Sequence, residues 1–416
     1  MPIREAPGEK LGRLTLSRTR GFWLGTAVFF LVFAVAGAPA PLYGVYQAEW
    51  KFSAITLTAI FAIYALFLLM TLLIFGSVSD HLGRRRVISV ALLVNAVVCA
   101  LFLTANGVAQ LFVARAAQGV AVGLATSALG ATLIDLQPEG SGLAPVFTNA
   151  GSLLGLAVGG LGASALVQYA PAPTHLVWWI LLVASLVAAL GILTLPETSA
   201  GHPNVLASLR PSVGIPRHAR TTFIRAIPVF AAAWALNGFY LSLGPSLAGE
   251  VFHSRNLLWG GLVVFVLTGL AGIATVVVRA WSARTTMIVG CTALVAGAAI
   301  TFAAVALTSP AVLLAGVGIA GIGVGVAYLG SFRVVSALAS HSRSARQPGV
   351  DDLHRGLYRL QRSGGDRGHC DRTLRPSRNG ACVLRRSSRS RRVGVAQSAV
   401  ARTHSSRNLR AGPNHR

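Results

Sequence analysis

The sequence predicts an all-α polytopic membrane protein, and its composition is the first reason. Of its 416 residues 54% are hydrophobic and 12% are charged, whereas soluble proteins carry about 25% charged residues. The second reason is a series of ten apolar runs, each close to the ~20 residues that a membrane-spanning helix needs. These runs cover residues 21–46, 54–75, 87–105, 109–133, 145–168, 175–195, 225–248, 257–278, 286–307 and 311–332. Both observations place the chain in a lipid bilayer.

The basic residues between the apolar runs predict the orientation of the chain. We take residues 1–20 as a cytoplasmic tail, which puts the even-numbered connectors inside and the odd-numbered connectors outside. The outside connectors carry two basic residues, Lys51 and Arg255. The inside connectors carry Arg84, Arg85, Arg86, Arg210, Arg217, Arg220, Arg279 and Arg284. This excess satisfies the positive-inside rule and supports a cytoplasmic N-terminus.

Two pairs of prolines lie in the first and seventh runs, which occupy equivalent places in the two halves of the chain. Pro39 and Pro41 belong to the first run, and Pro228 and Pro245 belong to the seventh. A proline inside a helix removes a backbone hydrogen bond and bends the helix. We therefore expect bends in the first and seventh membrane helices.

A short charged connector separates the second and third runs. It reads Gly76-Ser-Val-Ser-Asp80-His-Leu-Gly83 and continues with three arginines, residues 84–86. Any inside loop collects arginine, which explains the basic residues but not the aspartate or the glycines. The pattern resembles the signature between the second and third helices of the major facilitator superfamily of secondary transporters.

This resemblance implies two six-helix bundles with a small-molecule substrate site between them near the membrane midplane. The first bundle covers residues 21–195, a cytoplasmic loop covers 196–224, and an incomplete second bundle with helices 7–10 covers 225–341. About 10 of the usual 12 helices are then present. The sequence has no nucleotide-binding motif, catalytic triad spacing or metal cluster, so we expect no enzyme activity, cofactor or metal. A monomer in the inner (cell) membrane, driven by an ion gradient, fits the family.

The family pattern also implies a gate at the cytoplasmic side. In the family the first glycine of the connector allows close helix approach, and the aspartate faces the positive N-terminus of the eleventh helix. The arginines pair with nearby acids, for which the end of the fourth run and the segment Leu195-Pro196-Glu197-Thr198 are the best placed. The gate residues are Gly76, Asp80, Gly83, Arg84, Arg85, Asp135 and Glu197.

Arg115 is the most informative charge inside the apolar runs. It lies about seven residues, or ~10 Å at 1.5 Å per residue, into the fourth run. A charge at that depth costs several kcal/mol unless it is paired or faces a wet cavity. The pattern Arg115-Ala-Ala-Gln118-Gly119 resembles the second motif of the family, Arg-x-x-Gln-Gly, which implies coupling to protons. The alternative is an arginine that snorkels to the outer headgroups.

The fifth run contains Gly151, Gly155 and Gly159, which repeat every four residues. Small residues at this spacing let helix backbones pack closely. The repeat resembles the glycine-rich fifth-helix motif of exporters in the family, although the proline common in that motif is absent. Helix packing alone explains the glycines equally well.

Polar and aromatic residues inside the runs are candidates to line a substrate cavity. They are Tyr43, Tyr46, Tyr64, Asn95, Gln118, Asn149, Trp234, Asn237 and Tyr240. Runs with so few charges suit lipophilic cargo better than charged metabolites. We therefore expect proton-driven efflux of amphiphilic small molecules by an antiporter, and the alternative is uptake of a neutral solute such as a sugar.

The last part of the chain, residues 342–416, has a different composition. It contains eighteen arginines and four aspartates, which contribute +14 to the net charge of +24. One interpretation is a disordered tail on anionic lipid headgroups. Another is a nucleic-acid tail, but no aromatic platform or recognisable fold accompanies the arginines, so we expect no nucleic-acid partner. We favour a third, an out-of-frame translation of a GC-rich gene where helices eleven and twelve are expected, which would make the product a truncated, non-functional transporter.

Overall fold

The computed structural model describes residues 15–76, 78–139, 141–199, 220–254 and 256–346. Within these ranges the side chains of residues 78, 80, 220–223, 225, 226, 332 and 334–346 are not described. Most of the predicted N-terminal tail, most of the predicted loop 196–224 and the predicted tail from residue 347 onward lie outside the described residues.

The described residues form helices and no strand, arranged as two bundles. The first bundle contains α1 (Arg18–Gly37), α2 (Pro39–Trp50), α3 (Ala54–Phe75), α4 (Val78–Leu82), α5 (Arg84–Leu103), α6 (Val108–Leu136), α7 (Leu143–Tyr169) and α8 (Leu176–Ile192). The second contains α9 (Arg220–Val251), α10 (Leu258–Val277), a 3-10 turn (Val278–Ala280), α11 (Ala283–Leu307) and α12 (Pro310–Arg346). The last helix thus continues past residue 342, where the sequence predicted the tail to begin.

The membrane helices agree with the apolar runs. Nine helical segments within the described residues are long and apolar enough to span a membrane, and α1 with α2 forms one of them. The remaining run, the sixth, corresponds to α8, a shorter apolar helix of 17 residues. The prediction of an all-α membrane protein with about ten membrane helices is therefore confirmed.

The backbone hydrogen bonding of the first membrane segment is interrupted at Ala38 and Pro39, where the sequence predicted a bend, although Ala38 keeps helical backbone angles. α1 ends at Gly37, Ala38 forms the junction, and α2 begins at Pro39. Proline has no backbone N–H to donate to the preceding turn, and it is tolerated as the first residue of a helix. Pro228 and Pro245, by contrast, lie inside the single helix α9. The two prolines of the second bundle therefore do not interrupt their helix.

Close packing of α7 on α1 depends on glycines. A Cβ atom added at Gly155 would lie 2.6 Å from the carbonyl oxygen of Phe30, and one added at Gly159 would overlap the carbonyl group of Ala34. A Cβ atom added at Gly151 would meet its nearest neighbour at 3.9 Å, which is an ordinary contact distance. The structure thus places two of the three predicted packing glycines in a close helix contact, and Gly151 has room for a side chain.

The helices define two ends of the molecule, which we name by their connectors. The motif end holds the connector of residues 76–83 and the last residues of α6 and α8. The opposite end holds the last residues of α2 and α7. The sequence motifs for the gate therefore collect at one end of the molecule.

The two bundles are in contact at the opposite end. Gln168 of α7 accepts a hydrogen bond from the backbone N–H of Leu257 at 3.0 Å. Ala40 of α2 packs in one apolar cluster with Leu241 of α9 and Val264 of α10. These contacts join both halves of the chain on the side away from the motif.

Candidate functional site

At the motif end, a glutamate from outside the helix caps the N-terminus of α5. Gly83 precedes α5 with a φ of +94°, a conformation that glycine adopts without a Cβ clash. Glu197 accepts hydrogen bonds from the backbone N–H groups of Arg84 at 2.8 Å and Arg85 at 3.2 Å. The carboxylate thereby satisfies two free amides where the helix dipole favours negative charge. The sequence predicted that Glu197 meets the arginine side chains, and these contacts are to their backbone instead.

Arg84 joins three elements of the first bundle. Its guanidinium forms an ion pair with Asp135 at the end of α6. It also donates to the carbonyl oxygen of Ala131 at 2.9 Å and to the hydroxyl of Thr198 at 3.3 Å. Arg18 of α1 donates to the carbonyl oxygen of Asp135 at 2.7 Å. A partly exposed ion pair contributes only about 0–1 kcal/mol, so this cluster can rearrange at low cost.

For Gly76 and Asp80, two further residues of the predicted gate, the described structure shows no contact of the predicted kind. Gly76 is exposed at the end of α3, and the atoms nearest to a Cβ added there belong to Leu72 of the same helix. The expected close approach of a second helix at Gly76 is therefore not found among the described residues. Asp80 lies in α4, and its side chain is outside the described part of the chain, so its expected contact with an eleventh helix stays a prediction.

In the second bundle, the connector between α10 and α11 is held by an arginine of α12. Arg333 of α12 donates to the carbonyl oxygen of Trp281 at 2.6 Å and to the carbonyl oxygen of Arg279. These carbonyls follow the end of α10, where helix carbonyls lack partners within the helix. The last apolar run was predicted to end at residue 332, so Arg333 was not among the predicted site residues.

A cavity of about 300 Å³ lies between the two bundles. Its wall extends along α6 from Arg115 to Ile134, so the cavity reaches towards the motif end. The aromatic lining residues are Phe29, Phe33, Phe61, Tyr64, Trp234 and Tyr328. The polar ones are Arg115, Thr126, Thr148, Asn149, Ser152 and Asn237. Among the described lining residues, Arg115 carries the one formal charge.

The carbonyl groups next to the α1–α2 junction hold Arg115 and Gln118 in place. Its side chain is 2% exposed, and its Nη1 donates to the amide oxygen of Gln118 and, at 3.5 Å, to the carbonyl oxygen of Ala36. Gln118 donates in turn to the carbonyl oxygen of Val35 at 3.0 Å. In a regular helix that carbonyl would bind the N–H four residues later, which Pro39 lacks. Gln118 therefore supplies the donor that the proline removes.

Three aromatic rings surround the Arg115 guanidinium. Its Cζ atom lies 4.4 Å from the ring centre of Tyr64, 5.3 Å from that of Phe61 and 5.8 Å from that of Tyr43. A cation over an aromatic face gains about 0.5–2 kcal/mol, and most when it is desolvated. Gly119 brings α6 and α3 together, since a Cβ atom there would lie 2.5 Å from the carbonyl oxygen of Tyr64. The arginine is buried within the protein, which argues against snorkelling.

The second bundle contributes a wall with unused hydrogen-bonding atoms. Trp234 and Asn237 of α9 and Tyr328 of α12 line the cavity, and the Trp234 and Tyr328 rings are 6.3 Å apart. Among the described residues, Nε1 of Trp234 and Oδ1 of Asn237 are buried without a hydrogen-bond partner. Buried polar atoms in proteins are normally paired. The cavity-lining residues Trp234 and Asn237 thus hold one donor and one acceptor that have no partner among the described residues.

The structure separates the predicted cavity residues into two groups. Those that line the cavity are Tyr64, Asn149, Trp234 and Asn237. Asn95 instead donates to Ser185 at 3.1 Å between α5 and α8. Tyr240 is hydrogen-bonded to Thr301 at 2.7 Å inside the second bundle, and Tyr46 is hydrogen-bonded inside the first. Asn95 and Tyr240 were therefore wrong as cavity residues, because their helix positions face neighbouring helices of their own bundle.

Part of the aromatic lining was not predicted from the sequence. Phe29 and Phe33 of α1 and Tyr328 of α12 line the cavity. A signal was present for the first two, since residues four positions apart lie on the same helix face. Aromatic residues inside apolar runs are common, however, and one sequence does not show which face meets the cavity.

A helical membrane protein with a cavity between two bundles, lined from both, has the architecture of a secondary transporter and not of an enzyme. The family model described as the Major Facilitator Superfamily matches residues 22–356. The chain belongs to this family. The resemblance suggested by the connector of residues 76–83 is thereby confirmed.

Among solved structures, the chain is similar to a crystal structure of a bacterial homologue of the human lysosomal transporter Spinster, in an inward-facing and unoccupied conformation. The TM-score is 0.57 and the sequence identity is 15%, over 79% of this chain and 76% of that chain. At this identity the similarity shows a shared fold. No curated protein sequence matches the chain.

Proposed function

We propose that the protein is a proton-coupled secondary active exporter of amphiphilic small molecules. It works as a monomer in the inner (cell) membrane, with its N-terminus in the cytoplasm. The observation that carries the proposal is the lining of the cavity, which has six aromatic side chains and one formal charge among its described residues. Such a wall favours cargo with a large apolar part and a small polar part.

The direction of transport is argued from the position of the cavity. The arginine-rich connectors support a cytoplasmic motif end under the positive-inside rule, and the cavity reaches towards that end. Cargo then enters from the cytoplasm. Release outside requires rocking of the two bundles, which opens the contact between Gln168 and Leu257. The cluster of Arg84, Asp135 and Glu197 is our candidate for the gate at the cytoplasmic end.

The proposed driving force is the proton gradient. The sequence has no nucleotide-binding motif, so the energy has to come from an ion gradient. Arg115, Gln118 and Gly119 form the Arg-x-x-Gln-Gly pattern, and the first two bind the carbonyl groups at the α1–α2 junction. Arg115 and Gln118 therefore contact the turn in which Pro39 interrupts the helix hydrogen bonding, which makes this junction our candidate for coupling.

Transport in everted membrane vesicles tests the proposal. Vesicles from cells that express the chain should accumulate fluorescent amphiphiles in their lumen when a proton gradient is present, and an uncoupler should stop the accumulation. Arg115→Ala should abolish the proton-driven part while the protein remains inserted. The matched control is Arg279→Ala, which removes an exposed arginine outside the cavity and should leave transport unchanged.

Two results would count against this function. Accumulation that is equal with and without the chain would refute export of amphiphiles. Accumulation that depends on the chain but survives the uncoupler, or full transport by Arg115→Ala, would leave export standing and refute the proton coupling that we assign to Arg115.

Uptake of a neutral solute is the second candidate function. It is favoured by the unpaired Nε1 of Trp234 and Oδ1 of Asn237 and by Asn149, which also lines the cavity. Hydroxyl groups of a sugar pair well with such atoms. Uptake of a radiolabelled sugar into right-side-out vesicles, without accumulation of amphiphiles in everted vesicles, would support this alternative.

A further inference from the structure

We infer that the cavity selects amphiphiles that carry one anionic group, and that Arg115 binds this group. The inference rests on the proposed function, to which it adds the charge of the cargo. It does not depend on the direction of transport or on the coupling ion.

The first step of the argument is the charge balance of the cavity. Arg115 is 2% exposed and lines the cavity, and the lining residues that the structure describes include no Asp or Glu. An arginine keeps its charge across the physiological pH range. The positive charge therefore has no counter-charge in the described lining, and a charge in a low-dielectric site acts strongly on its surroundings.

The second step concerns what holds the guanidinium in place. Its described partners are neutral: the amide oxygen of Gln118, the carbonyl oxygen of Ala36 and the faces of aromatic rings. These groups orient the arginine and offset part of its desolvation, but they leave its net charge at +1. A buried charge is normally paired. The missing partner is an anion that arrives with the cargo.

The third step is the hydrogen-bonding capacity that remains. Nη1 makes the described bonds of Arg115, and Nε has no acceptor among the described residues. A planar guanidinium matches the oxygen atoms of carboxylate, sulfonate or phosphate groups. A cationic amphiphile would meet repulsion instead. A neutral one would leave the charge of Arg115 uncompensated.

The fourth step is the position of the apolar part of the cargo. From Arg115 the wall continues towards the motif end with Phe29, Phe33, Leu68 and Leu72. An anionic head at Arg115 therefore places an apolar body along the aromatic and aliphatic wall. The unpaired Nε1 of Trp234 is available to a second polar atom of the same molecule.

Equilibrium dialysis of three probes with one naphthyl group tests the charge preference. The probes are 2-naphthoate, neutral 2-naphthamide and 2-naphthylmethyl-trimethylammonium, each radiolabelled and dialysed against the full chain in lipid nanodiscs, with binding to empty nanodiscs subtracted. We expect naphthoate to bind most tightly. Arg115→Gln should weaken naphthoate binding about tenfold or more, the size expected for loss of a charged hydrogen-bonded contact, and should leave naphthamide nearly unchanged.

Two variants make the test specific. Arg115→Lys keeps the charge without the planar donors, so its preference for naphthoate should be intermediate. Arg279→Gln removes a charge outside the cavity and should change nothing. The preference of the unmodified chain can be measured even if Arg115→Gln fails to fold.

The outcomes separate the inference from the function on which it rests. Equal binding of all three probes, tighter binding of the cation, or undiminished naphthoate binding by folded Arg115→Gln would overturn the inference and leave export of amphiphiles intact. Absence of binding for every probe would overturn both.

Discussion

Glu197 follows α8 in the chain and binds the first two backbone amides of α5. A Cβ atom added at Gly83 would lie 3.0 Å from its carboxylate, so the glycine at this position serves the cap as well as the turn. The Pro-Glu-Thr segment and the Gly-Arg-Arg segment, which are over a hundred residues apart in the chain, thus form one structural unit. Polar contacts of this kind can rearrange without unfolding either helix.

Removal of the Glu197 carboxylate tests this unit. Glu197→Ala should destabilise the protein by about 1 kcal/mol, the typical cost of losing a helix N-cap, because two amides of α5 lose their acceptor. Glu139→Ala removes another exposed glutamate at the motif end and should have little effect. Thermal unfolding of both variants in nanodiscs measures the difference. Equal melting temperatures would show that the cap contributes nothing to stability.

Gln118 explains part of the Arg-x-x-Gln-Gly pattern in physical terms. The amide oxygen of Gln118 orients Arg115, and its amide nitrogen binds the Val35 carbonyl that Pro39 leaves without a donor. An aliphatic residue at position 118 would lose both contacts. Gln118 therefore connects the Arg115 guanidinium to the turn of the first membrane segment in which Pro39 removes a backbone hydrogen bond.

At the scale of elements, α7 is the helix that contacts both bundles closely. Gly155 and Gly159 face α1, whereas a Cβ atom added at Gly160 would lie 2.7 Å from Val264 of α10. Small residues on two faces let α7 approach both neighbours. Because α7 also lines the cavity with Asn149 and other residues, its position sets the width of the cavity.

Two alanine substitutions in α7 should have opposite effects. Gly159→Ala places a methyl group on the Ala34 carbonyl and should cost about 1–3 kcal/mol by overpacking. Gly162→Ala, one turn away in the same helix, has no atom within 4 Å of the new Cβ and should be neutral or stabilising by up to about 1 kcal/mol. Thermal unfolding of the two variants measures the contrast. A tolerated Gly159→Ala would contradict the close α1–α7 contact.

For the whole molecule, the sequence predicted the architecture well because the bilayer constrains it. Each membrane helix needs an apolar run of fixed length, so the runs correspond to the helices, and the connector of residues 76–83 identified the family. Among the described helices that correspond to predicted runs, the short α8 is the one below spanning length. Prolines predicted the interrupted hydrogen bonding at Ala38 and Pro39, whereas α9 continues through Pro228 and Pro245.

The candidate site was harder to predict, because lining a cavity depends on which way a helix face points. Asn149, Trp234 and Asn237 line the cavity, while Asn95 and Tyr240, which also lie inside their runs, bond to Ser185 and Thr301. Hydropathy identifies the segments that span the membrane, but it does not show which face of a helix contacts the cavity and which face contacts another helix. Arg115 was recognisable because a buried charge is rare enough to be informative without its neighbours.

Protection of a cysteine from labelling tests whether the cavity opens to the cytoplasm and binds cargo. The two substitutions are Ser152→Cys and Glu139→Cys. Ser152 lines the cavity, and Glu139 is exposed outside it at the motif end. Both are made in a background without the native cysteines, which are Cys99, Cys291, Cys370 and Cys382. We expect a membrane-impermeant maleimide to label both positions in everted vesicles and neither position in right-side-out vesicles. We also expect 2-naphthoate to slow labelling at residue 152 and to leave labelling at residue 139 unaffected. Labelling of Ser152→Cys that naphthoate does not slow, or that occurs from the outer side alone, would contradict a cytoplasm-facing substrate cavity between the two bundles.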